Sequence, residues 1–299
     1  MKLSSRGRGT GYSPWRGLLE SALGVAYRGD WPAVLWGALP WAVDVAVVRH
    51  QLTLPPGGGR TLRMAFVSDL HVGPTTPARL LETAFDAVRR DQPDVLLLGG
   101  DYVFLEAETR RLAALESLVA SVLCPIKLAV LGNHDLWTHD EAIVEALERA
   151  GARVLVNEVV ALPEPWSDVV VVGLDDPWTG HCDAAAAAAQ LDGQPFRIVL
   201  CHGPDGLSRL SALRFDAFVA GHTHGGQIAT PWGAIVLPHG PMCRQFPAGP
   251  GTFGGGFVYV SRGVGGVELP IRTFAPPEIM LLELTRPTGE AGREVAPEG

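Results

Sequence analysis

An α/β fold is predicted for most of this 299-residue chain by three features of its sequence. From about residue 61, short apolar runs with strand character alternate with helical stretches, a pattern typical of α/β proteins. Several of these runs end directly on polar residues, as strands do where they lead into functional loops. Hydrophobic residues make up 47% and charged residues 19% of the chain, which is enough for one large core.

The individual elements follow from these local patterns. Strands are predicted at 62–68, 94–98, 126–131, 153–156, 169–174, 197–201, 217–220, 235–237, 257–261 and 279–284. Helices are predicted at 76–90, at 106–122, at 183–191, and in a stretch ending near Gly151. Thr138 and Glu141 have the spacing of a capping box at the start of that last helix.

The N-terminal segment has a different character, with half of the tryptophans. Ser13 and Pro14 are typical of an N-cap followed by the first helical position, and apolar residues then recur with helical spacing to Ala26. A second apolar stretch, 31–43, is interrupted by Pro40 and is shorter than the about 20 residues that span a bilayer. Two interpretations remain open: an appendage packed on the domain's own surface, or an interfacial segment that lies on a membrane.

Three regions are therefore predicted along the chain. Residues 1–60 form the helical, apolar appendage, and residues 61–285 form the α/β domain. Residues 286–299, rich in Pro, Gly and Glu, are predicted to be a disordered tail.

Charge and cysteine usage exclude some functions. The formal net charge of −8 argues against general binding to nucleic acid, which needs a cationic face. The four cysteines are scattered without a C-x-x-C pair, which supports neither a disulfide framework nor a structural zinc knuckle. Without a recognisable signal peptide, a cytoplasmic location is expected, with peripheral membrane contact under the second interpretation of the N-terminal segment.

Five short segments carry residue types that bind metals, and each directly follows an apolar, strand-like run. They are 68–71 (Ser-Asp-Leu-His), 99–101 (Gly-Gly-Asp), 132–135 (Gly-Asn-His-Asp), 201–202 (Cys-His) and 221–224 (Gly-His-Thr-His). The carboxyl ends of strands in α/β sheets converge on one rim, so residues far apart in sequence meet there. Each motif alone has an ordinary structural explanation, but the five together indicate a metal site.

The residue types suit two neighbouring divalent cations. Carboxylates offset part of the positive charge, and imidazole nitrogens complete a shell suited to Mn, Fe or Zn rather than Ca. Asn133 is a neutral oxygen ligand, which limits the negative charge that would oppose an incoming phosphate. Two metals about 3.5–4 Å apart polarise phosphoryl oxygens and lower the pKa of a bound water, so the substrate is predicted to be a phosphate ester.

In their order D-x-H, G-D, G-N-H-D, H and G-H-x-H, the motifs resemble those of the calcineurin-like metallophosphoesterase superfamily over residues 62–284. The longer stretches 99–103 (Gly-Gly-Asp-Tyr-Val), 221–227 (Gly-His-Thr-His-Gly-Gly-Gln) and 260–264 (Val-Ser-Arg-Gly-Val) resemble its bacterial YkuE/YaeI-type phosphodiesterase branch. The resemblance implies the metallo-dependent phosphatase fold, a β-sandwich flanked by helices in four αββα layers.

The resemblance also implies how seven ligands divide between two metal ions. Three ligands would hold each metal and the seventh would bridge the pair: Asp69, His71 and His224 for one metal, Asn133, His202 and His222 for the other, and Asp101 as the bridge. A metal-bridging hydroxide would then attack phosphorus in line, opposite the leaving oxygen.

Four further residues are site candidates. By the same resemblance, His134 would steady the phosphate oxygens or protonate the leaving group, and Asp135 is expected to orient its imidazole. Arg262 and Arg272 are candidates for outer contacts with the substrate. For Arg262 a structural salt bridge is an equally good explanation.

Departures from the family pattern narrow the substrate class. Phosphoprotein phosphatases continue the second motif as G-D-x-V-D-R-G, whereas here Asp101 is followed by Tyr-Val-Phe-Leu-Glu, so the arginine that grips a phosphomonoester is missing. Purple acid phosphatases place a tyrosine ligand where this chain has Phe104. Gly203 stands where the branch more often has a larger polar residue, so the width of the pocket is expected to differ while metal ligation is retained.

The sequence thus favours a binuclear metal-dependent phosphodiesterase, with lipid-linked or envelope esters favoured by the tryptophan-rich N-terminus. A lipid-linked pyrophosphate hydrolase of the UDP-diacylglucosamine type is the first alternative. A nuclease and a metal-free scaffold on the same fold are weaker ones, because the chain is acidic and keeps all seven ligands.

Overall fold

Two six-stranded β-sheets lie face to face and carry helices on their outer sides. The computed structural model describes residues 4–56, 60–193, 195–234 and 240–287. The predicted strand at 235–237 and the tail from 288 onward lie outside the described residues.

The strands have the following bounds: β1 Ala46–Thr53, β2 Leu62–Val67, β3 Val95–Leu98, β4 Ile126–Ala129, β5 Arg153–Val154, β6 Glu158–Ala161, β7 Val169–Gly173, β8 Phe196–Leu200, β9 Ala217–Ala220, β10 Ala229–Thr230, β11 Gly233–Ala234, β12 Gly249–Phe253, β13 Gly256–Val260 and β14 Glu278–Thr285. The α-helices are α1 Pro14–Ala26, α2 Trp31–Gly37, α3 Ala78–Asp91, α4 Thr109–Ala120, α5 Asn133–Trp137, α6 Asp140–Arg149, α7 Ala184–Ala188 and α8 Pro241–Gln245. Short 3-10 helices cover Pro40–Val43, Pro204–Ala212 and His224–Gly226.

The strand order is β1-β14-β2-β3-β4-β5 in the first sheet and β12-β13-β9-β8-β7-β6 in the second. Strands β2, β3, β4 and β5 run parallel, as do β7, β8, β9 and β13. The carboxyl ends of the central strands of each sheet therefore lie at one edge of that sheet.

Side-chain alternation along the strands separates the layers. In β2, Leu62, Met64 and Phe66 enter the core between the sheets, while Ala65 and Val67 pack against the helices outside. Helices α3, α4 and α6 cover the first sheet, and α7 with the 3-10 helix Pro204–Ala212 covers the second. This arrangement confirms the predicted β-sandwich flanked by helices.

Strand β1 shows that the domain boundary predicted at residue 60 is wrong. It pairs in parallel with β14 along its whole length, from Ala46 opposite Glu278 to Thr53 opposite Thr285. Its residues alternate between half-buried and exposed, as expected for an edge strand, and its mixed sequence gives only a weak strand pattern. Residues 46–53 thus belong to the sandwich.

Helix α1 lies on the domain with its polar side inward. The Ser13 hydroxyl caps it by accepting the Arg16 backbone N–H at 3.1 Å, as predicted. Gly17 and Glu20 are buried, whereas most of its apolar residues face outward. This orientation is the reverse of the usual one for a surface helix, whose apolar stripe faces the core.

The predicted capping box is wrong. Helix α6 begins at Asp140 with His139 as N-cap, and no side chain caps it. The reason is a short helix, α5, which occupies Asn133–Trp137 and leaves Thr138 as its C-cap. Sequence patterns also missed β6 and β12, which are antiparallel edge strands.

No helix among the described residues is long and apolar enough to cross a membrane.

Replacing Val48 by proline tests whether β1 is part of the fold. The N–H groups of Ala46 and Leu54 donate to Pro277 and Thr285, so the alternation of a parallel strand points the N–H of Val48 toward β14 as well. Val48→Pro should lower the free energy of unfolding by about 1–3 kcal/mol more than Val47→Pro, whose N–H faces away. Urea denaturation measures both variants, and equal stabilities would contradict the assignment.

Candidate active site

The loops that follow five strands meet at one rim of the sandwich. Their ligand-type side chains are all buried: Asp69 and His71 after β2, Asp101 after β3, Asn133 after β4, His202 after β8, and His222 and His224 after β9. Both sheets therefore contribute, and the structure brings together all seven predicted ligands. His134 lies beside them, at the start of α5.

Five of the ligand-type residues have left-handed backbone conformations. Their φ angles are 55° at Asp69, 43° at His71, 56° at Asp101, 70° at His222 and 52° at His224. Such conformations cost non-glycine residues about 1–3 kcal/mol each and persist where the surrounding structure imposes them. Their concentration at one rim indicates a functional site.

The first group of ligand atoms consists of Asp69, His71 and His224. The Nε2 atoms of His71 and His224 lie 3.1 Å apart. The Nε2 atom of His224 is also 3.4 Å from Oδ1 of Asp69. Two imidazole nitrogens and one carboxylate oxygen thus converge on one point.

A second group consists of Asp101, His202 and His222, and a third, His71, Asp101 and His134, shares one member with each of the other two. The Nε2 atom of His202 is 3.2 Å from Oδ2 of Asp101 and 3.2 Å from Nδ1 of His222. The other nitrogen of His202, Nδ1, donates to the Gly99 carbonyl at 2.8 Å and so leaves Nε2 facing the site. Oδ2 of Asp101 also lies 3.7 Å from Nε2 of His71, so this carboxylate stands between the two groups.

The residues present fit divalent metal ions. The Oδ1 atom of Asn133 is buried and has no hydrogen-bond partner among the residues that the structure describes. Imidazole nitrogens that face each other at about 3 Å cannot both donate, and a cation between them would satisfy both lone pairs. A buried oxygen without a partner and pairs of facing imidazole nitrogens are the kinds of donor atom with which proteins bind such ions.

Burial keeps most of the imidazoles at the site neutral. Burial lowers the pKa of His71 to about 4 and that of His222 to about 3. His202 is the exception: burial alone would lower its pKa, but the hydrogen-bonded Asp101 carboxylate raises it well above the usual range. Neutral imidazoles present the lone pair that a metal requires.

Two glycines let the loops approach the ligands. A Cβ atom on Gly221 would lie 2.0 Å from Oγ of Ser68 and 2.2 Å from Oδ2 of Asp69. A Cβ atom on Gly132 would lie 2.2 Å from Oδ1 of Asp101. Only glycine fits at these positions without displacing a ligand.

The expectation that Asp135 orients the His134 ring is wrong. Both oxygens of this carboxylate accept backbone N–H groups: those of Asp101 at 2.8 Å, Gly132 at 2.9 Å and Tyr102 at 2.8 Å. Asp135 therefore fastens the loop after β3 to the loop after β4, because a carboxylate at the start of a helix readily accepts several N–H donors.

Arg262 is also engaged within the protein rather than aimed at the site. Its guanidinium pairs with the buried Glu278 carboxylate at 2.6 Å, and its backbone N–H donates to the same carboxylate at 2.9 Å. The structural salt bridge, one of the two explanations open for Arg262, is the one present.

Arg272 supports a ligand loop and leaves no N–H directed at a substrate. Its guanidinium donates to the carbonyls of Gly265, Ala275 and Arg262 at 2.9–3.0 Å. One of its nitrogens also lies 2.9 Å from Nδ1 of His224. These contacts correct the prediction of an outer substrate contact.

The arginine that does reach the site is Arg16 of α1, which sequence analysis missed. Its Nη2 atom lies 3.4 Å from Nε2 and 3.5 Å from Nδ1 of His134. Its guanidinium also stacks over Trp137, 5.5 Å from the ring centroid. No local pattern singled out Arg16, because the i,i+4 spacing of Arg16 and Glu20 indicates only an ion pair that stabilises the helix.

A cavity of about 420 Å³ opens over the ligands. Its walls combine polar and aromatic side chains, among them Arg16, His134, Trp137, Trp178, Glu268 and Leu269. The backbone N–H of His134 donates to Oδ1 of Asp101 at 2.8 Å, which holds its ring between the ligands and this cavity. A phosphate ester can therefore approach the ligand groups with His134 beside it.

Comparison with known proteins agrees with this geometry. A family model described as calcineurin-like phosphoesterase matches residues 62–226, which include all seven ligand-type residues. Phosphodiesterase YaeI of Escherichia coli K12 is 31% identical over 242 residues, covering 80% of this chain and 87% of that protein. An uncharacterized metallophosphoesterase of Bacillus subtilis, YkuE, is 28% identical over 250 residues, covering 82% and 86%.

A third relative is named after the compound on which it acts. The UDP-2,3-diacylglucosamine pyrophosphatase LpxG of Chlamydia muridarum is 27% identical over 276 residues, covering 74% of this chain and 83% of that protein. The family match spans more than half of the chain, and the five segments that carry the ligand-type residues lie within it. The protein is therefore a hydrolase that belongs to the calcineurin-like phosphoesterase family.

Proposed function

We propose that the protein is a binuclear metal-dependent phosphodiester hydrolase. The observation that carries this proposal is the position of Asp101 between two ligand groups, with Oδ2 within 3.7 Å of His71 and 3.2 Å of His202. One carboxylate shared by two groups suits two cations rather than one. The mixture of imidazole, carboxylate and amide ligands favours Mn, Fe or Zn.

Each side chain then has a task in hydrolysis. Asp69, His71 and His224 would hold one ion. His202 and His222 would hold the other, together with the unpartnered Oδ1 of Asn133, and Asp101 would be shared. When bound, the ions supply positive charge for the phosphoryl oxygens and acidify a water molecule.

His134 is the residue that contacts the substrate beside the ligands. Burial lowers its pKa well below the usual value, and the Arg16 cation next to it acts in the same direction. A neutral imidazole offers one N–H, which favours steadying a phosphoryl oxygen over delivering a proton as an imidazolium.

A diester is favoured over a monoester by what surrounds the cavity. Phosphomonoesters are doubly charged near neutral pH and call for additional cations. Arg262 and Arg272 face other protein groups, and two nitrogens of Arg16 already pair with Glu20 and Glu268. The relative named as a phosphodiesterase supports the same choice.

A lipid-linked diester or pyrophosphate is the substrate class that the N-terminal helices favour. Helix α1 exposes Trp15 and Val25 by 80% and 77%, and α2 exposes Val34 and Leu35 by 68% and 64%. Leu269, which lines the cavity, is itself 46% exposed. We propose that these apolar surfaces rest on a bilayer and bring the cavity to lipid headgroups. The relative named as a UDP-2,3-diacylglucosamine pyrophosphatase supports this class.

Removing one ligand tests the metal-dependent reaction. Asn133→Ala and His222→Ala, loaded with Mn²⁺, should lose at least about a hundredfold in kcat/KM for bis-p-nitrophenyl phosphate, because each loses a ligand outright. The control is His139→Ala. His139 is exposed and lies just after α5, the helix that contains Asn133, so this variant should keep wild-type activity. The wild type should prefer this diester to p-nitrophenyl phosphate. A preference for the monoester, or full activity in both ligand variants, would contradict the proposal.

Vesicle flotation tests the membrane contact. A Trp15→Glu/Leu19→Glu variant should bind phosphatidylglycerol-containing vesicles at least about tenfold more weakly than the wild type, since each buried side chain of this size contributes about 1.5–3 kcal/mol. Leu123→Glu is the matched control, because Leu123 is 92% exposed but precedes β4, at the end opposite the site. Wild-type protein that fails to float, or that dimerises through this face instead, would refute the proposal.

A further inference from the structure

A second charged cluster adjoins the ligands and is supplied partly by the N-terminal helix. The guanidinium of Arg16 uses its three nitrogens in three directions. Nε donates to Glu20 at 2.9 Å, Nη1 donates to Glu268 at 2.7 Å, and Nη2 faces the His134 ring and the cavity.

The cluster is held in place from several sides. Glu20 is buried and also accepts the Tyr12 hydroxyl at 2.8 Å. The Glu268 carbonyl accepts the Tyr27 hydroxyl at 2.9 Å. A guanidinium fixed by two carboxylates presents its remaining N–H groups in one direction, so it can donate to a substrate oxygen with little reorganisation.

The charge of the cluster differs from that of an ordinary phosphate-binding arginine. Among the described residues, two carboxylates face this one guanidinium, and Glu268 lines the cavity itself. Arg16 therefore offers hydrogen-bond donors while Glu268 opposes a large negative charge beside it. A diester carries one negative charge on the reacting phosphate, whereas a monoester carries close to two at neutral pH.

We propose that Arg16 contacts the substrate phosphate and that Glu268 makes this contact selective for monoanionic phosphodiesters over dianionic phosphomonoesters. The inference rests on the proposed diesterase function and identifies the side chains that set its specificity. Repulsion between the Glu268 carboxylate and the extra negative charge of a monoester, at a separation of roughly 8 Å in a partly hydrated site, weakens monoester binding by about tenfold. This difference is sufficient to separate the two substrate classes.

The alternative is that the cluster only fastens α1 to the domain. The chain contains a matched example of such a fastening in the pair of Arg6 and Glu106, with a distance of 2.5 Å. Glu106 is 36% exposed and Glu268 35%, and both join the N-terminal segment to the domain, but Glu106 does not line the cavity over the ligands.

The test compares Glu268→Gln with Glu106→Gln in the metal-loaded full-length enzyme. We expect Glu268→Gln to raise the ratio of kcat/KM for p-nitrophenyl phosphate to that for bis-p-nitrophenyl phosphate by about tenfold, because removal of the charge favours the dianion. Glu106→Gln should leave this ratio within about twofold of the wild type. Arg16→Ala should lower kcat/KM for the diester by about tenfold or more.

A binding measurement gives a readout that is independent of turnover. Phenylphosphonate, a phosphomonoester analogue whose C–P bond is not hydrolysed, should bind about tenfold more tightly to Glu268→Gln than to the wild type in a calorimetric titration. An unchanged kcat/KM ratio and an unchanged phenylphosphonate affinity in Glu268→Gln, with a wild type that prefers diesters, would overturn this inference alone. A wild type that prefers monoesters would instead overturn the proposed function.

Discussion

The Asp101 carboxylate is the constraint on which the rest of the site depends. Oδ1 accepts the backbone N–H of His134 at 2.8 Å, and Oδ2 faces His202 and His71, which belong to different sheets. A buried carboxylate amid imidazoles is stable only where charge and hydrogen bonds are matched. The two stacked sheets supply that match, because loops at the carboxyl ends of strands in both sheets bring histidines to Asp101.

The loop that carries Asp101 is fixed by its neighbours rather than by its own sequence. Asp135 binds the N–H groups of Asp101 and Tyr102, and the Tyr102 hydroxyl donates to the carbonyls of Leu98 and Val130. These contacts join the ends of β3 and β4. The left-handed backbone of Asp101 is thus held by Asp135 from the loop after β4 and by His71 from the loop after β2, whose backbone N–H donates to the Asp101 carbonyl at 3.0 Å.

Helix α1 links the site to the protein surface. Its polar side carries Arg16 to the cavity, while its apolar side, with Trp15 and Val25, faces outward. A helix that exposes its apolar face leaves favourable burial unused, so a surface that covers this face would also stabilise the position of Arg16. Under the proposed function, α1 therefore couples contact with a bilayer to the positioning of Arg16 at the substrate phosphate.

The sequence predicted the central strands and the meeting of the seven ligand-type residues, because each follows a buried strand of its sheet. It did not predict Arg16, since contact between α1 and His134 depends on a separation of 118 residues and on no local pattern. The role of Asp135 was missed because a Gly-Asn-His-Asp turn does not reveal which backbone N–H groups it will bind. Strand β1 was missed because half-exposed edge strands carry a weak hydrophobic alternation.

The central claim is that Asp101 is shared by two metal ions, and electron paramagnetic resonance of Mn²⁺-loaded protein tests it most directly. Two ions bridged by one carboxylate are close enough for their spins to couple. We predict two Mn²⁺ per chain with the spectrum of an exchange-coupled pair. One Mn²⁺ per chain, or two with the spectrum of isolated ions, would contradict the account.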